Sequence, residues 1–391
     1  MRDIRDIRAA VVGTGFIGVV HVEALRRLGV DVAGVVGSTP ERAAAKARSA
    51  ALPAPYPSYE ALLEDPTVDV VHLTTPNHLH FAQARDALAA GKHVVCEKPL
   101  AMDSAQTAEL VAAAEASGRV HAVNFNQRFY PQCQEARARV AAGDLGEVRL
   151  VSGGYLQDWL LYETDWNWRL DPALGGSLRA VGDIGSHWLD LVAFITGRRV
   201  ESVLADLTTF VPVRRQPAGP VETFGGAGGA ARDTTEREME TEDAAGLLLR
   251  LAGGARGVAT ISQVSPGRRN HLHWQVDGAQ DSLAWSSERP EELWIGHRGR
   301  PNELLLRDPT LLHTPAAAHT SQPGGHAEGF PDTFKELYRS VYRAVAAGGP
   351  PPEPDYPTFA DGHEQALVAD AIARSHAERR WVGVERVGAT A

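Results

Sequence analysis

Short apolar runs, each followed by a stretch whose apolar positions recur three or four residues apart, set the rhythm of the first third of the chain. Ile7 to Val12, Val30 to Val36, Val68 to Thr74, His93 to Glu97 and Val120 to Phe125 read as buried strands. The segments between them read as helices: from the glycines at 13–18 to Arg27, then Glu41 to Ala50, Tyr59 to Leu63, Asn77 to Ala90 and Ser104 to Ala116. Asp65-Pro66 stops one helix, Gly91 stops another, and Asn77 is placed to cap the start of its own. Strands that alternate with helices predict a doubly wound parallel sheet with helices on both faces.

The pattern changes near residue 126. A helix is expected over Gln132 to Ala142, a strand over Val148 to Tyr155 and a helix over Ile184 to Thr196. Strand-like runs then follow one another with little helix between them: 200–213, 244–251, 255–264, 271–276, 282–285 and 292–297. Consecutive strands joined by glycine-rich turns predict an antiparallel or mixed sheet. Helices over Phe330 to Ala347 and Ala360 to Ala377 close the chain. The expected division is 1–126 and 127–391. Pro217 to Glu242, rich in Gly, Pro, Thr and Glu, reads as a mobile insertion between strands, and Pro350 to Pro357 as a connector.

Composition narrows the function. Of 391 residues 43% are hydrophobic and the net charge is −10, which suits a globular core and argues against nucleic acid or an anionic membrane as the main partner. No apolar run approaches a membrane span, and the charged Met1 to Asp6 segment does not read as a signal peptide. Two cysteines, Cys96 and Cys133, form neither a metal pair nor a disulfide framework, so a reducing cytoplasm is expected.

Gly13-Thr14-Gly15-Phe16-Ile17-Gly18 lies between a strand and a helix, the context in which glycines have a mechanism. The first permits a tight turn, the second lets a pyrophosphate approach the backbone, and the third lets helix and strand pack. The end of the second strand, where an acid would take the ribose hydroxyls, reads Gly37-Ser38-Thr39-Pro40 instead. Ser38 could meet a hydroxyl or 2′-phosphate and Arg42 a phosphate, or Arg42 is a solvated helix residue; NAD and NADP both stay open. Lys98, in Glu97-Lys98-Pro99 at a strand end, could aim an ammonium at the nicotinamide, or be an ordinary solvated lysine. Asp183 and His187, four apart, could share a helix face, where the carboxylate would raise the imidazole's basicity. The same spacing suits an N-cap and a core histidine. His78 with His80, or His271 with His273, lacks the acid or cysteine that would complete a metal site, so no metal is expected.

The glycine loop, Thr75-Pro76-Asn77-His78-Leu79-His80, Glu97-Lys98-Pro99, Asn124-Phe125-Asn126-Gln127-Arg128 and Gly182-Asp183-x-Gly185-x-His187 occur in one order. Together they resemble the glucose–fructose oxidoreductase, inositol dehydrogenase and rhizopine catabolism (Gfo/Idh/MocA) family. The resemblance implies an N-terminal Rossmann domain that binds the dinucleotide and a C-terminal α/β domain, with a large, mostly antiparallel open sheet, for substrate binding and oligomerisation. It implies a nicotinamide cofactor, sugar or polyol substrates, and homo-oligomers, dimers or tetramers, built by sheet-to-sheet packing. It puts Lys98, Asp183 and His187 at catalytic positions. It places Thr74, Pro76, Asn77, His80, Glu97 and Asn126 against cofactor, and Arg128 against substrate.

Three of the eight tryptophans lie within ten residues, in Tyr155-Leu156-Gln157-Asp158-Trp159 and Trp166-Asn167-Trp168-Arg169. Flat rings interleaved with hydrogen-bonding groups suit a sugar, with its apolar faces and polar edges; they also suit a subunit interface. The stretch is similar to the branch of the family that includes levoglucosan dehydrogenase. The expected function is therefore NAD(P)-dependent oxidation of a secondary hydroxyl on a pyranose-type sugar, anhydrosugar, glycoside or cyclitol. The alternatives are a glycoside-cleaving enzyme that forms a transient keto sugar with bound NAD, and a non-catalytic nucleotide-sensing regulator.

Overall fold

The structure is a computed structural model that describes residues 2–49, 51–219 and 233–386. Five short strands begin the first unit: β1 (Arg8–Val12), β2 (Asp31–Val36), β3 (Val70–Leu73), β4 (His93–Cys96) and β5 (His121–Val123). They pair in parallel in the order β2-β1-β3-β4-β5. Between them run α1 (Phe16–Arg27), α2 (Pro40–Ser49), α3 (Tyr59–Glu64), α4 (Asn77–Ala89) and α5 (Ser104–Ser117). Strands buried along nearly their whole length explain why the apolar runs are continuous rather than alternating. Strand order reverses between β1 and β3, so the ends of those two strands form the switch point where such sheets bind ligands. Asn77 is the first helical residue of α4, and Pro76 takes the capping position expected for it.

One expectation about the domains needs correction. The first unit comprises Met1–Asn126 together with Phe330–Ala366, so the chain returns to it late. The cause is α10 (Phe330–Ala346), whose Phe334, Leu337, Tyr338, Val341 and Tyr342 are fully buried and which packs against α1. A single cut at 126 cannot represent a helix that fills the face of a sheet formed two hundred residues earlier.

The second unit, Gln127–Gly329 with Leu367–Ala391, is built on nine strands. These are β6 (Val148–Leu156), β7 (Val200–Thr208), β10 (Ala244–Leu251), β11 (Arg256–Ser262), β12 (His271–Gly278), β13 (Ser282–Ser286), β14 (Glu292–Gly296), β15 (Glu303–Leu306) and β16 (Val382–Gly383). Their order is β15-β14-β13-β12-β6-β11-β10-β7-β16, and only the β6–β11 pair is parallel. Helices α6 (Pro131–Ala142) and α8 (Ser186–Thr196) pack on one face. There Trp188, Trp274, Val276, Leu283 and Ile261 form the core. Two short helices, α7 (Pro172–Gly175) and α9 (Thr314–Ala317), lie in the connections, and α11 (Phe359–Glu378) contributes Val368, Ala371 and Ile372 to this core.

On the other face, the register aligns Leu204, Leu248, Val258, Ser152, Gln275, Ala284, Trp294 and Leu304 in one row across eight strands. Leu248, Val258 and Leu304 on it are exposed. Part of the expected insertion is ordered: β8 (Val213–Pro217) and β9 (Thr234–Glu238) pair as a separate ribbon, while 220–232 lie outside the described residues.

Candidate active site

In the first unit the glycine loop is shaped by Thr74, at the end of β3. Its hydroxyl donates to the carbonyls of Val12 and Gly13, at 2.9 and 3.2 Å. Gly13 has φ +112°, and a side chain there would strike Thr74 Oγ1 at 2.4 Å. A side chain at Gly18 would strike the Gly13 carbonyl at 2.1 Å. Gly15 differs: a Cβ there meets nothing within 4 Å. Two glycines therefore close the turn on itself and the middle one opens outward, at the start of a twelve-residue helix that no side chain caps. That arrangement fits the pyrophosphate of a dinucleotide. Of the neighbours of Gly15, Phe16 is 47% exposed and Thr14 and Ile17 are half-buried. At the end of β2, Ser38 and Arg42 are exposed, and Thr39 Oγ1 accepts the Arg42 N–H as α2 begins.

His80, on α4, fastens the next two segments together. Its Nδ1 lies 2.8 Å from the Pro99 carbonyl and its Nε2 2.8 Å from the Thr75 carbonyl. A neutral ring has one N–H for these two acceptors, and burial holds its pKa down, the carbonyl contacts opposing. Asn126 donates to Thr333 Oγ1 at 2.7 Å. Glu97, expected against cofactor, is buried and accepts hydrogen bonds from His21 Nε2 at 3.1 Å, from Asn124 Nδ2, and from the Lys98 backbone N–H at 3.3 Å. Burial alone would raise its pKa, but the His21 bond and the nearby Lys98 charge bring it below the usual carboxylate range. Lys98 itself is half-buried, one residue beyond it.

In the second unit, Asp183 lies in a wide helical turn, Val181–Gly185, that runs into α8. It is no N-cap: the residues on both sides of the turn are helical, and its N–H bonds the Arg179 carbonyl at 2.8 Å. Its carboxylate accepts from Arg169 Nε at 3.2 Å and from Gln263 Nε2 at 2.8 Å. Gln263 is held in turn by Arg179, which reaches the buried Asp243. Arg169 lies 4.4 Å from the Trp168 ring centre, with Asn167 Oδ1 accepting from its Nη1. His187, one turn after Asp183, is buried, with the Tyr155 ring 6.3 Å away.

Three more predicted residues join through one that the sequence reading missed. Asn270 Oδ1 accepts from Tyr155 Oη at 2.6 Å and from Gln157 Nε2 at 2.9 Å, and Gln157 Oε1 accepts from Trp159 Nε1 at 2.8 Å. Asp158 turns instead to the Gly267 N–H and Arg269. Trp166 is half-buried. Arg128 forms a two-pronged pair with buried Asp190, at 2.8 and 2.5 Å, which gives its guanidinium a structural task. Gln263, Asn270, Arg179 and His21 were not identified because each acts across strands or helices far apart in sequence. Among the described residues no group of three His, Cys, Asp or Glu side chains is placed to hold a metal ion.

A glycine loop at the switch point of a doubly wound sheet, followed in the same chain by a large mixed sheet, is the architecture of a dinucleotide-binding protein. Residues 7–125 match the oxidoreductase family with an NAD-binding Rossmann fold, GFO/IDH/MocA, and residues 133–284 match the GFO/IDH/MocA C-terminal domain. Levoglucosan dehydrogenase of Pseudarthrobacter phenanthrenivorans is 29% identical over 99% of this chain and 100% of its own. D-xylose 1-dehydrogenase (NADP(+)) 2 of Haloferax volcanii is 30% identical over 68% of this chain and 80% of its own. A levoglucosan dehydrogenase structure in complex with NADH and levoglucosan superposes with a TM-score of 0.86 at 27% identity, covering 97% of this chain and 100% of that one. The chain belongs to the GFO/IDH/MocA family, and the expected fold class, two α/β units on a parallel and a mostly antiparallel sheet, is the observed one.

Proposed function

We propose that the chain oxidises a secondary hydroxyl of a pyranose-type sugar, anhydrosugar, glycoside or cyclitol, with NAD or NADP as acceptor. The observation that carries this reading is the fixed carboxylate of Asp183, held by Arg169 and Gln263 one helical turn before His187. A carboxylate held at that point is placed to orient the imidazole for a proton. His187 takes the hydroxyl proton. Lys98 orients the hydroxyl and offsets the negative charge that grows on its oxygen. The glycine loop, with Gly15 open to the phosphates, holds the dinucleotide, which when bound supplies the hydride acceptor. Trp168, stacked with Arg169 beside Asp183, offers a flat apolar face to a ring, and Trp159, Gln157 and Tyr155 form a hydrogen-bonded wall.

The test is a screen of sugars, anhydrosugars, glycosides and inositols with each cofactor, read by the absorbance of reduced nicotinamide. Reduced cofactor accumulating in step with one of these substrates is expected. Inertness towards all of them, or bond cleavage without accumulated NADH, rejects the reading. Cofactor preference turns on Ser38 and Arg42, since no acid follows β2. The apolar row on the open face of the large sheet supports a homo-oligomer built face to face, and two buried free cysteines accord with a reducing cytoplasm.

A further inference from the structure

Behind Lys98, wholly within the first unit, lies a line of buried polar groups that the reaction above does not use. Tyr342 Oη is 3.0 Å from His72 Nε2, His72 Nδ1 is 3.0 Å from His21 Nδ1, and His21 Nε2 is 3.1 Å from Glu97 Oε1. His21, His72 and Tyr342 are each 0% exposed. They come from three elements, α1, β3 and α10, and the ring of Tyr338 packs against both imidazoles at 5.1 and 4.8 Å.

The direction of these bonds is set at one end. Each contact to Glu97 is a donor: the Asn124 amide, the Lys98 backbone N–H and His21. A carboxylate surrounded by donors is ionised, so His21 Nε2 carries the hydrogen. With His21 neutral, its Nδ1 offers a lone pair and His72 must carry its hydrogen on Nδ1; a cationic His21 reverses that bond, and measurement tells the two states apart. The neutral state leaves His72 Nε2 as an acceptor, and Tyr342 is left to donate. Burial supports the neutral form of His72. In that state the chain runs from Tyr342 to Glu97, and each imidazole keeps one tautomer.

We propose that His21 and His72 are positioning residues: the Tyr342–His72–His21 chain locks one tautomer of His21, which holds Glu97 ionised and fixed against the Lys98 backbone and thereby keeps Lys98 placed and charged for catalysis. The charged and titratable groups around the line are Glu97, Lys98 and Cys96 at the end of β4, Asp69 just before β3, His80 on α4, and Tyr338 and Tyr342 on α10. Glu97 is the anion next to Lys98 along the chain, and its carboxylate accepts the Lys98 backbone N–H at 3.3 Å. The inference rests on the catalytic assignment of Lys98; the tautomers can be measured without it.

Two experiments on the full chain separate the outcomes. In imidazole nitrogen spectra of histidine-labelled protein, His21 is expected with its hydrogen on Nε2 alone and His72 with its hydrogen on Nδ1 alone, at the pH of the activity assay. A cationic His21, or the opposite tautomer of either ring, overturns the proposal whatever the enzyme's activity. In kinetics, His72→Phe keeps a ring but breaks the chain, and kcat is expected to fall about tenfold. The alkaline limb of its kcat profile should also move to lower pH. His72→Gln, which restores a donor and an acceptor, should recover most of both. A pH profile of His72→Phe that overlays the parent's overturns the proposal while leaving the dehydrogenase assignment standing. If His72→Phe fails to fold, Tyr342→Phe removes only the first donor. It should shift the His72 Nε2 resonance and move the alkaline limb the same way; no change in either overturns the chain.

Discussion

Single side chains divide sharply by what a substitution would reach. Gly13 and Gly15 are two residues apart yet carry opposite constraints. Gly13→Ala forces a side chain into positive φ and against Thr74, and is expected to cost about 2 kcal/mol, measured by urea unfolding. Gly15→Ala meets open space in the protein, so its unfolding midpoint should match the parent's while its dissociation constant for NADH rises. His187→Ala should lower kcat by about 10²–10⁴-fold with little change in NADH binding; unchanged turnover removes His187 from the reaction. Arg42→Ala tests the cofactor question at the same scale. If Arg42 meets a 2′-phosphate, KM for NADP rises and KM for NAD stays. The sequence made Gly13, Lys98, Asp183 and His187 visible because their chemistry is written in a local motif. Gln263 and Asn270 were invisible because neither has a motif: each is defined by the partner it reaches, Asp183 in one case and the Tyr155–Gln157 pair in the other.

At the scale of elements, the buried parallel strands were legible as apolar runs, and the limits of α1, α4 and α5 fall within a residue or two of those expected. What could not be read was irregular. The run 200–213 divides, because β7 stops at Thr208 and Val213 starts a ribbon with a partner twenty residues on. The start of α8 is preceded by a widened turn, which places Asp183 on a helix rather than at its cap. Two histidines at the edges of strands give the first unit a measurable pH response. His93 Nδ1 accepts the Val120 N–H and His121 Nδ1 accepts the Phe359 N–H, and burial holds both rings down to about 4. In the unfolded chain each ring takes its proton near pH 6.5. The neutral rings therefore contribute stability above that pH, which is lost as the pH falls from about 6.5 towards 4, by about 3 kcal/mol per ring at most. Urea midpoints at pH 7 and 4.5 should show the loss, and His121→Asn, which keeps an acceptor without the titration, should reduce it.

At the scale of the molecule, the open face of the nine-stranded sheet carries a row of exposed apolar side chains. Leu248, Val258 and Leu304 on one register row are 43%, 45% and 53% exposed, an apolar band of the kind that marks an association surface. Light scattering should find a homo-oligomer, and Leu248→Lys with Val258→Lys should reduce it to smaller species without loss of helix content. A double variant of unchanged mass would place the interface elsewhere.

The late return of α10 to the first unit has a bearing on how the protein is made. The Rossmann strands leave the ribosome first, yet the helix that covers His21 and His72 is translated roughly two hundred residues afterwards, on the order of ten to forty seconds at ordinary synthesis speeds. Throughout that interval the nascent half has an apolar flank bare and two imidazoles without their phenol. A nascent chain released at residue 126 should engage holding chaperones and resist NADH, and one extended past 346 should bind it.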